Sequence, residues 1–280
     1  MTHIAEPVEN LTSHGLVLLP RVRLLAAHDV AKWDEIVTSF PNHKTFHRRG
    51  WVHSLAETTG GRPLLLVVEA AHHVVACLPG LLLSIGPIRL FGSPLEGWQT
   101  ASMGPLIDHE RMAPSTAISL LVAFLENELR VHYMEFSSRD LDWETMENAG
   151  FEGRSLFTYV STLHPDNPRR AFEQFHPKTR TQYRRAVRLG LRVSTAQDES
   201  FVQDFYRHLQ GVFRRHKIAV PFSRQRALAC LCAARAMSRL LCLRVYLPDS
   251  DECIASAIYI YHADEITLWG WAHDSRYGSY

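Results

Sequence analysis

The order of predicted secondary structure occurs twice along the chain, and this repeat constrains the fold more than any other sequence feature. The first copy predicts a strand over 16–25, helices from Asp29 to Ser39 and from Thr45 to Thr58, and strands over 63–70, 74–84 and 87–92. The second predicts a strand over 191–196, helices over 199–216 and 223–239, and strands over 241–247, 253–261 and 265–271. We therefore expect an α/β (α+β) protein of two tandem units, each a mixed sheet with an antiparallel meander flanked by helices.

The first copy continues beyond its meander, whereas the second does not. Four elements follow the first meander: a helix from Pro114, a strand over 132–136, a short helix over 143–148 and a strand over 155–163. The second meander is followed only by a tail to Tyr280, so we expect a truncated second unit, impaired in activity, that lacks about fifty residues. An uncovered sheet edge is expected there, with Trp269 or Trp271 exposed.

Two prolines mark the boundary between the copies. Pro165 and Pro168 flank an Asp-Asn pair, and neither a helix nor a strand continues through such a run. The predicted domains are therefore an N-terminal tail over 1–15, a first unit over 16–163, a linker over 164–169 and a second, C-terminally incomplete unit over 170–280.

The composition is that of a globular chain. Of 280 residues, 46% are hydrophobic and 21% charged, and the net charge is +1, so any attraction to nucleic acid or lipid must be local. The five cysteines, an odd number in apolar surroundings, are typical of a reducing compartment. The apolar run 64–85 is interrupted by Glu69 and Pro79, and no leader begins the chain, so we expect a cytoplasmic protein without a membrane span.

Several catalytic and metal-binding signatures are missing. The chain has no G-x-S-x-G elbow, no Walker A loop and no G-x-G-x-x-G motif. Cys230 and Cys232 have C-x-C spacing on a predicted helix, where they point to different faces, and His72-His73 falls in a hairpin turn. We therefore expect no metal site.

A basic segment of the helix predicted over 170–189 is the first candidate binding element. With about 100° per residue, one face of the segment 178–188 carries four cations, and Arg180 lies at its edge. The four are Lys178, Arg184, Arg185 and Arg188. Arginine binds phosphate oxygens bidentately, so this face could hold several phosphates. A solvated amphipathic helix, with the side-chain stems laid on the core, explains the same pattern.

A loop rich in glycine and proline, 91–108, is the second candidate. Glycine and proline let a backbone run close to a ligand, and Glu96, Trp98 and Asp108 could present polar and aromatic groups to it. A compact surface loop that links the meander to the next helix is the alternative.

Together these segments resemble the Fem-like, double-domain branch of the GNAT acyltransferase superfamily, including its BioF2-like members. The likeness spans nearly the whole chain and lies in short motifs: Trp33 followed by Thr45-Phe46 and Trp51, the strand end Cys77-Leu78-Pro79, the loop from Gly92 to Trp98 with Met103-Gly104-Pro105, and the run from Thr181 to Gly190. The resemblance implies two packed GNAT-like units with the acceptor in a groove near their junction. It also implies transfer of an acyl or aminoacyl group from an activated donor to an amine.

The resemblance further implies partners and residue roles. Acyl-CoA, as a co-substrate and not a bound cofactor, would place its phosphates on the basic face: Lys178, Arg180, Arg184, Arg185 and Arg188. Glu96 and Trp98 would contact the acceptor, an amine on a small molecule or on a precursor of cell-envelope or exopolysaccharide synthesis. The attacking amine must be neutral, and Asp108, Glu96 and Tyr183 are the candidate proton acceptors by location.

Two departures from the family pattern keep alternatives open. Neither half contains the Arg/Gln-x-x-Gly-x-Gly/Ala loop that cradles the CoA pyrophosphate, and the long coiled-coil arm of the peptidoglycan enzymes is missing, which disfavours aminoacyl-tRNA as the donor. A non-catalytic GNAT-like protein that binds a nucleotide sugar or another polyanion through 178–188 is the alternative function. Binding of DNA or RNA by the same helix is disfavoured, because no aromatic stacking platform accompanies it.

Overall fold

The computed structural model describes residues 19–263 and 265–277, which form two β-sheets with helices on their faces. The first sheet contains β1 (Arg21–Leu24), β2 (Arg62–Ala70), β3 (His73–Ile85), β4 (Ile88–Ser93), β5 (Leu106–Ile107) and β6 (Tyr133–Phe136). Its helices are α1 (Trp33–Thr38), α2 (Arg49–Thr59), α3 (Pro114–Asn127) and α4 (Trp143–Asn148). Single 3₁₀ turns over Val30–Lys32 and Thr45–His47 precede α1 and α2.

The second half repeats the order of the first. Helices α5 (Pro168–Gln174) and α6 (Pro177–Arg188) lead into the second sheet, which contains β7 (Arg192–Ala196), β8 (Leu240–Tyr246), β9 (Cys253–His262) and β10 (Glu265–His273). Helices α7 (Phe201–Arg215) and α8 (Arg224–Ala236) come between β7 and β8, and a 3₁₀ turn over Ser275–Tyr277 follows β10. The expected fold class, an α/β (α+β) protein with antiparallel meanders flanked by helices, is confirmed; the first sheet is mixed as expected, whereas the second contains only antiparallel pairs.

The first sheet is buried on both faces. Its strand order is β1-β2-β3-β4-β6, with β5 paired to β3, and all pairs are antiparallel except β4 with β6. The parallel pair needs a crossover, which α3 supplies. Successive residues of a strand point to opposite faces, so Leu65 packs in a core with Trp33 of α1, whereas Leu66 packs in a second core with Ile118 of α3. Burial on both sides explains the uninterrupted apolar run 64–68.

The second sheet has an open edge. It is wholly antiparallel, in the order β10-β9-β8-β7, and no strand pairs with the outer side of β10 among the described residues. Ile266, Leu268 and Trp271 of this edge strand are exposed. The expected exposed tryptophan is therefore Trp271, because Trp269 is buried.

One hydrophobic core joins the two sheets. Helix α2 of the first half packs against α8 of the second. Trp51 of α2 and Trp269 of β10 are both buried, and their ring centroids lie 6.4 Å apart. The indole N–H of Trp269 donates to the carbonyl oxygen of Gln99 at 2.7 Å. The sheets thus share a core, and the domain boundary at 164–169 stays a prediction.

Two predictions for the segment between the sheets are wrong. Residues 155–163 form no strand, and Phe157 and Tyr159 are 97% and 106% exposed. Strand propensity reflects packing against neighbouring strands, and in the described structure this segment has no such neighbour. The single helix predicted over 170–189 is two helices, because Pro177 disfavours helical backbone at the preceding His176, whose ψ is 141°.

The helix boundaries follow from local chemistry. Helix α1 begins at Trp33 and not after Asp29, because the carboxylate of Asp29 accepts a hydrogen bond from Lys32 Nζ at 2.9 Å instead of capping a backbone N–H. Helix α2 ends at Gly60, whose φ of 71° is the left-handed conformation that favours glycine. No helix within 19–263 or 265–277 is long and apolar enough to cross a bilayer.

Candidate functional site

The turn between α1 and α2 places a buried histidine, His47, against the loop 91–108. Its backbone carbonyl oxygen accepts the indole N–H of Trp33 at 2.8 Å, which fixes the turn to α1. Nδ1 of His47 accepts the backbone N–H of Lys44 at 2.9 Å, so the ring proton is on Nε2, which donates to the carbonyl oxygen of Gly104 at 3.1 Å. Burial lowers the pKa of His47 to about 4. His47 is therefore uncharged, and its ring connects the turn to the loop through hydrogen bonds.

A cavity opens where the parallel strands β4 and β6 end. Their pairing stops at Ser93 and Phe136, and beyond it the backbone N–H of Gly104 donates to the carbonyl oxygen of Ser137 at 2.9 Å. A Cβ on Gly104 would lie 2.8 Å from the Cβ of Ser138, so only glycine allows this approach. The segments that follow the two strands thus form one wall.

This cavity, which we call the seam cavity, has a volume of about 210 Å³. Its wall is formed by Asn42, Lys44 and His47 of the turn, Ser102, Gly104 and Pro105 of the loop, and Ser138, Arg139 and Asp140 after β6. The volume is below the roughly 300–1,000 Å³ of pockets that enclose a whole small ligand. The seam cavity can therefore take one polar group of a larger substrate.

Charged groups from both sheets meet at the seam cavity. Lys44 Nζ lies 3.0 Å from Glu265 Oε2, and Arg139 Nη1 lies 2.8 Å from the same oxygen. Burial alone would raise the pKa of Glu265, but hydrogen bonds from Lys44 and Arg139 outweigh it and hold the pKa below its usual value. Because Glu265 begins β10, the second sheet supplies the carboxylate that fixes two cations of the first half.

A pair of histidines also connects the two halves of the protein. The rings of His43 and His262 meet edge to face, with centroids 4.3 Å apart. Burial lowers the pKa of both rings, and for His262, which also lies near His43 and Arg239, the pKa is about 4. The hydroxyl of Thr45 donates to the carbonyl oxygen of Tyr261 at 3.2 Å. At neutral pH this contact is therefore uncharged.

The sequence-derived candidates for catalysis and acceptor binding lie outside the wall of the seam cavity. Glu96 and Asp108 each form an ion pair with an arginine. Trp98 is only 6% exposed and belongs to the shared core. Tyr183 is on the exposed helix α6. The structure does not bring these four side chains to one place, and their roles stay predictions.

The polar groups that do form the wall were not predicted from the sequence. The loop 91–108 contributes only small residues to it. A signal for the turn was present, because the polar run Asn42-His43-Lys44 stands directly before the Thr45-Phe46 motif. No local sequence pattern indicates that Arg139 lies close to this turn, because its position depends on how β6 pairs with β4.

The basic face of α6 is exposed and apart from the seam cavity. Helix α6 buries no residue. Within the described structure no carboxylate lies within ion-pair distance of Lys178, Arg180, Arg184, Arg185 or Arg188, although Arg169 and Arg192 on either side are paired. The guanidinium of Arg184 lies over the ring of Phe172, 5.6 Å from its centroid. The cations can therefore meet an anion from solution, and their role in binding donor phosphates stays a prediction.

Replacing Arg184 and Arg188 together with glutamine tests that role. We expect binding of CoA to weaken by about 1.5–3 kcal/mol for each charge-assisted hydrogen bond removed, measured by titration calorimetry. The free energy of unfolding should change by no more than about 1 kcal/mol, because both side chains are exposed. Arg214→Gln with Arg215→Gln, on the exposed end of α7, removes the same charge as a control. Unchanged CoA binding together with a large fall in stability would assign these arginines to the fold.

A second groove, of about 310 Å³, lies on the second half. Its central cation, Arg244, already forms ion pairs with carboxylates. Arg244 is 8% exposed, and its nitrogens lie 2.9 Å and 3.0 Å from carboxylate oxygens of Asp198 and Asp204. The guanidinium holds the pKa of Asp198 well below its usual range. In the part of the chain that the structure describes, no group of three or more His, Cys, Asp or Glu side chains could hold a metal ion. Because the central cation of this second groove is already paired, the seam cavity is the stronger candidate for a functional site.

Comparison with solved structures agrees with this architecture. The chain is similar to the crystal structure of FemX, with a TM-score of 0.61 over 89% of this chain and 80% of that chain, at 11% identity. The aminoglycoside antibiotic 6'-N-acetyltransferase AAC(6')-IG from Acinetobacter haemolyticus matches 51% of this chain and 99% of that chain at 13% identity, with a TM-score of 0.32, too low to indicate a common fold. No family model and no curated protein matches the sequence. The chain therefore has the fold of the FemX structure.

Proposed function

We propose that this chain is an N-acyltransferase that moves an acyl or aminoacyl group from an activated donor, acyl-CoA, to an amine in the seam cavity. The observation that carries the proposal is the cavity itself: it is polar, lies just beyond the paired ends of the parallel strands β4 and β6, and has two cations in its wall that a carboxylate of the second half binds in a FemX-like fold. The likeness to FemX supports the fold, and the cavity supports the chemistry.

Acyl transfer from a thioester asks mainly for alignment and charge stabilisation. The amine nitrogen attacks the carbonyl carbon, the C–S bond breaks, and the CoA thiolate leaves while the nitrogen loses a proton. Positive groups near the carbonyl oxygen stabilise the charge that develops there. In the proposal Lys44 and Arg139 have this role, since Glu265 holds both at the cavity.

Asp140 is our candidate for the proton acceptor. It is the carboxylate in the cavity wall, and Asn42 Nδ2 donates to its Oδ2 at 2.8 Å, which orients the group. A carboxylate so placed can attract the substrate ammonium and then take a proton from the attacking nitrogen. His47 is less suited, because both ring nitrogens are occupied and its pKa is about 4. Asp108, Glu96 and Tyr183 remain alternatives outside the cavity.

The acceptor in this proposal is an amine on a small molecule or on a precursor of the cell envelope or of an exopolysaccharide, in the cytoplasm. The volume of the cavity admits the amine end, so the rest of the acceptor would lie along the seam. Aminoacyl-tRNA is the second candidate donor. If no group is transferred, binding of a nucleotide sugar or another polyanion on α6 is the alternative function.

Release of free CoA from a panel of acyl-CoAs and amines tests the proposal. In Asp140→Asn we expect kcat to fall by about 100-fold or more, because an amide cannot take the proton, while the melting temperature stays near that of the unchanged protein. Asp166→Asn, at an exposed carboxylate between the halves, is the matched control and should keep full activity. Saturable binding of a nucleotide sugar without CoA release from any donor would favour the non-catalytic alternative.

A further inference from the structure

We propose that residues 155–192 dock the protein on the surface of an anionic lipid bilayer. This docking segment consists of the run 155–163, which has no regular secondary structure, helices α5 and α6 with the residues that flank them, and Arg192, the first residue of β7. The inference does not depend on the proposed acyl transfer. It rests on how the segment combines exposed apolar side chains with a local excess of positive charge.

Exposed apolar side chains are concentrated in the docking segment. Of the nineteen large hydrophobic side chains exposed in the described ranges, nine lie here. Phe157, Tyr159 and Val160 are 97%, 106% and 80% exposed, and Tyr183 and Val187 of α6 are 57% and 59% exposed. A protein that stays free in water rarely leaves so much apolar surface in one stretch, so such a stretch marks a surface that meets a partner.

Positive charge is concentrated in the same residues. Eight of the thirty basic side chains and two of the twenty-nine acidic ones lie in the docking segment, which therefore carries +6 while the rest of the chain carries −5. The five cations of α6 have no carboxylate within ion-pair distance in the described structure. The net charge of the whole chain is therefore close to zero although its positive charge is concentrated in the docking segment.

Helices α5 and α6 present both features as one unit. The rings of Phe172 and Tyr183 lie 5.1 Å apart and connect the helices. Tyr183 and Val187, four residues apart, share one side of α6, and Lys178 and Arg185 lie on the opposite side. A helix with an apolar side and a basic side lies in the plane of a bilayer surface, with its cations among the headgroup phosphates.

The combination selects the kind of partner. A second copy of the chain would bring one +6 surface against another, and like charges repel. RNA supplies phosphates but no apolar phase for aliphatic side chains such as Leu156, Val160 and Val187. A bilayer that contains anionic lipid supplies both the negative surface and the apolar interior.

Flotation with lipid vesicles tests the proposal. The full chain should float with vesicles of phosphatidylcholine mixed with phosphatidylglycerol and should not float with phosphatidylcholine alone. Arg185→Gln with Arg188→Gln should bind the mixed vesicles about 30-fold more weakly, because each basic side chain contributes separately near an anionic surface. Phe157→Ser with Val160→Ser should bind roughly tenfold more weakly. Arg214→Gln with Arg215→Gln, which removes the same charge elsewhere, should bind as the unchanged protein does.

Two results would overturn the proposal. One is failure of the full chain to float with either type of vesicle. The other is full retention of binding by Phe157→Ser with Val160→Ser, since an interaction with phosphates alone does not need those side chains. Titration with CoA and with a single-stranded RNA distinguishes the sources of phosphate: tight binding of either, without vesicle binding, would assign the basic side of α6 to a soluble ligand.

Discussion

Replacing Trp269 with alanine should lower the free energy of unfolding by about 3–5 kcal/mol, measured by urea denaturation followed by circular dichroism. Its indole is 5% exposed and lies against Trp51, Phe205 and Phe222, at centroid distances of 6.4, 6.3 and 5.7 Å. Truncation would leave a cavity in the core that both sheets share. It would also remove the hydrogen bond from the indole N–H to the carbonyl oxygen of Gln99.

Trp271→Ala is the matched control for this prediction. Trp271 lies two residues further along β10 and is 61% exposed, so its removal should change the free energy of unfolding by about 0.5 kcal/mol or less. Equal effects of the two substitutions would contradict the shared core. A second unfolding transition in Trp269→Ala alone would show that the halves can fold separately once the packing between them is weakened.

Acidification from pH 6.5 to pH 4 should cost about 3 kcal/mol of stability through His47 alone. Burial lowers the pKa of this ring from 6.5 to about 4 in the folded protein. In that interval the unfolded chain therefore binds a proton that the folded chain does not, so the free energy of unfolding falls as the pH falls and levels off below pH 4. The pKa of His262 is also lowered to about 4, and it acts in the same direction.

Urea titrations at several pH values separate His47 from the other groups. His47→Gln should be less stable at pH 7, because the hydrogen bond from His47 to the carbonyl oxygen of Gly104 changes. The slope of its free energy of unfolding against pH should be smaller across this interval, by an amount that corresponds to at most one proton. His53→Gln, at an exposed position of α2, should keep the pH dependence of the unchanged protein. An unchanged slope in His47→Gln would mean that the buried ring takes up a proton in the folded state as readily as in the unfolded state.

The fold was predictable where local pattern and burial agree. The strand predicted over 63–70 is β2, and its uninterrupted apolar run 64–68 is buried on both faces. The strand predicted over 241–247 is β8, antiparallel to both of its neighbours, but the residues that it buries are Cys242 and Arg244 and not the alternating Leu241 and Leu243. The residues 155–163 have the same β-rich composition and form no strand, because propensity describes the side chains and not the availability of a neighbour.

The seam cavity could not be predicted in the same way. Its charged groups come from separate parts of the chain: Lys44 from a helix–helix turn, Arg139 from the segment after β6, and Glu265 from the start of β10. Their proximity depends on the packing of one sheet against the other, which leaves no mark in local spacing. Trp98 shows the opposite error, since an aromatic side chain in a glycine-rich loop looked available for a ligand and is buried in the core.

The packing between the halves has a consequence for how such a chain can change in evolution. Lys44 relies on Glu265, and Trp51 on Trp269, so each half carries residues whose value depends on the other. A recombination event that exchanged one half for its counterpart from a divergent homologue would separate partners that had adapted together. We therefore expect the two repeats, although alike in architecture, to work only as a pair.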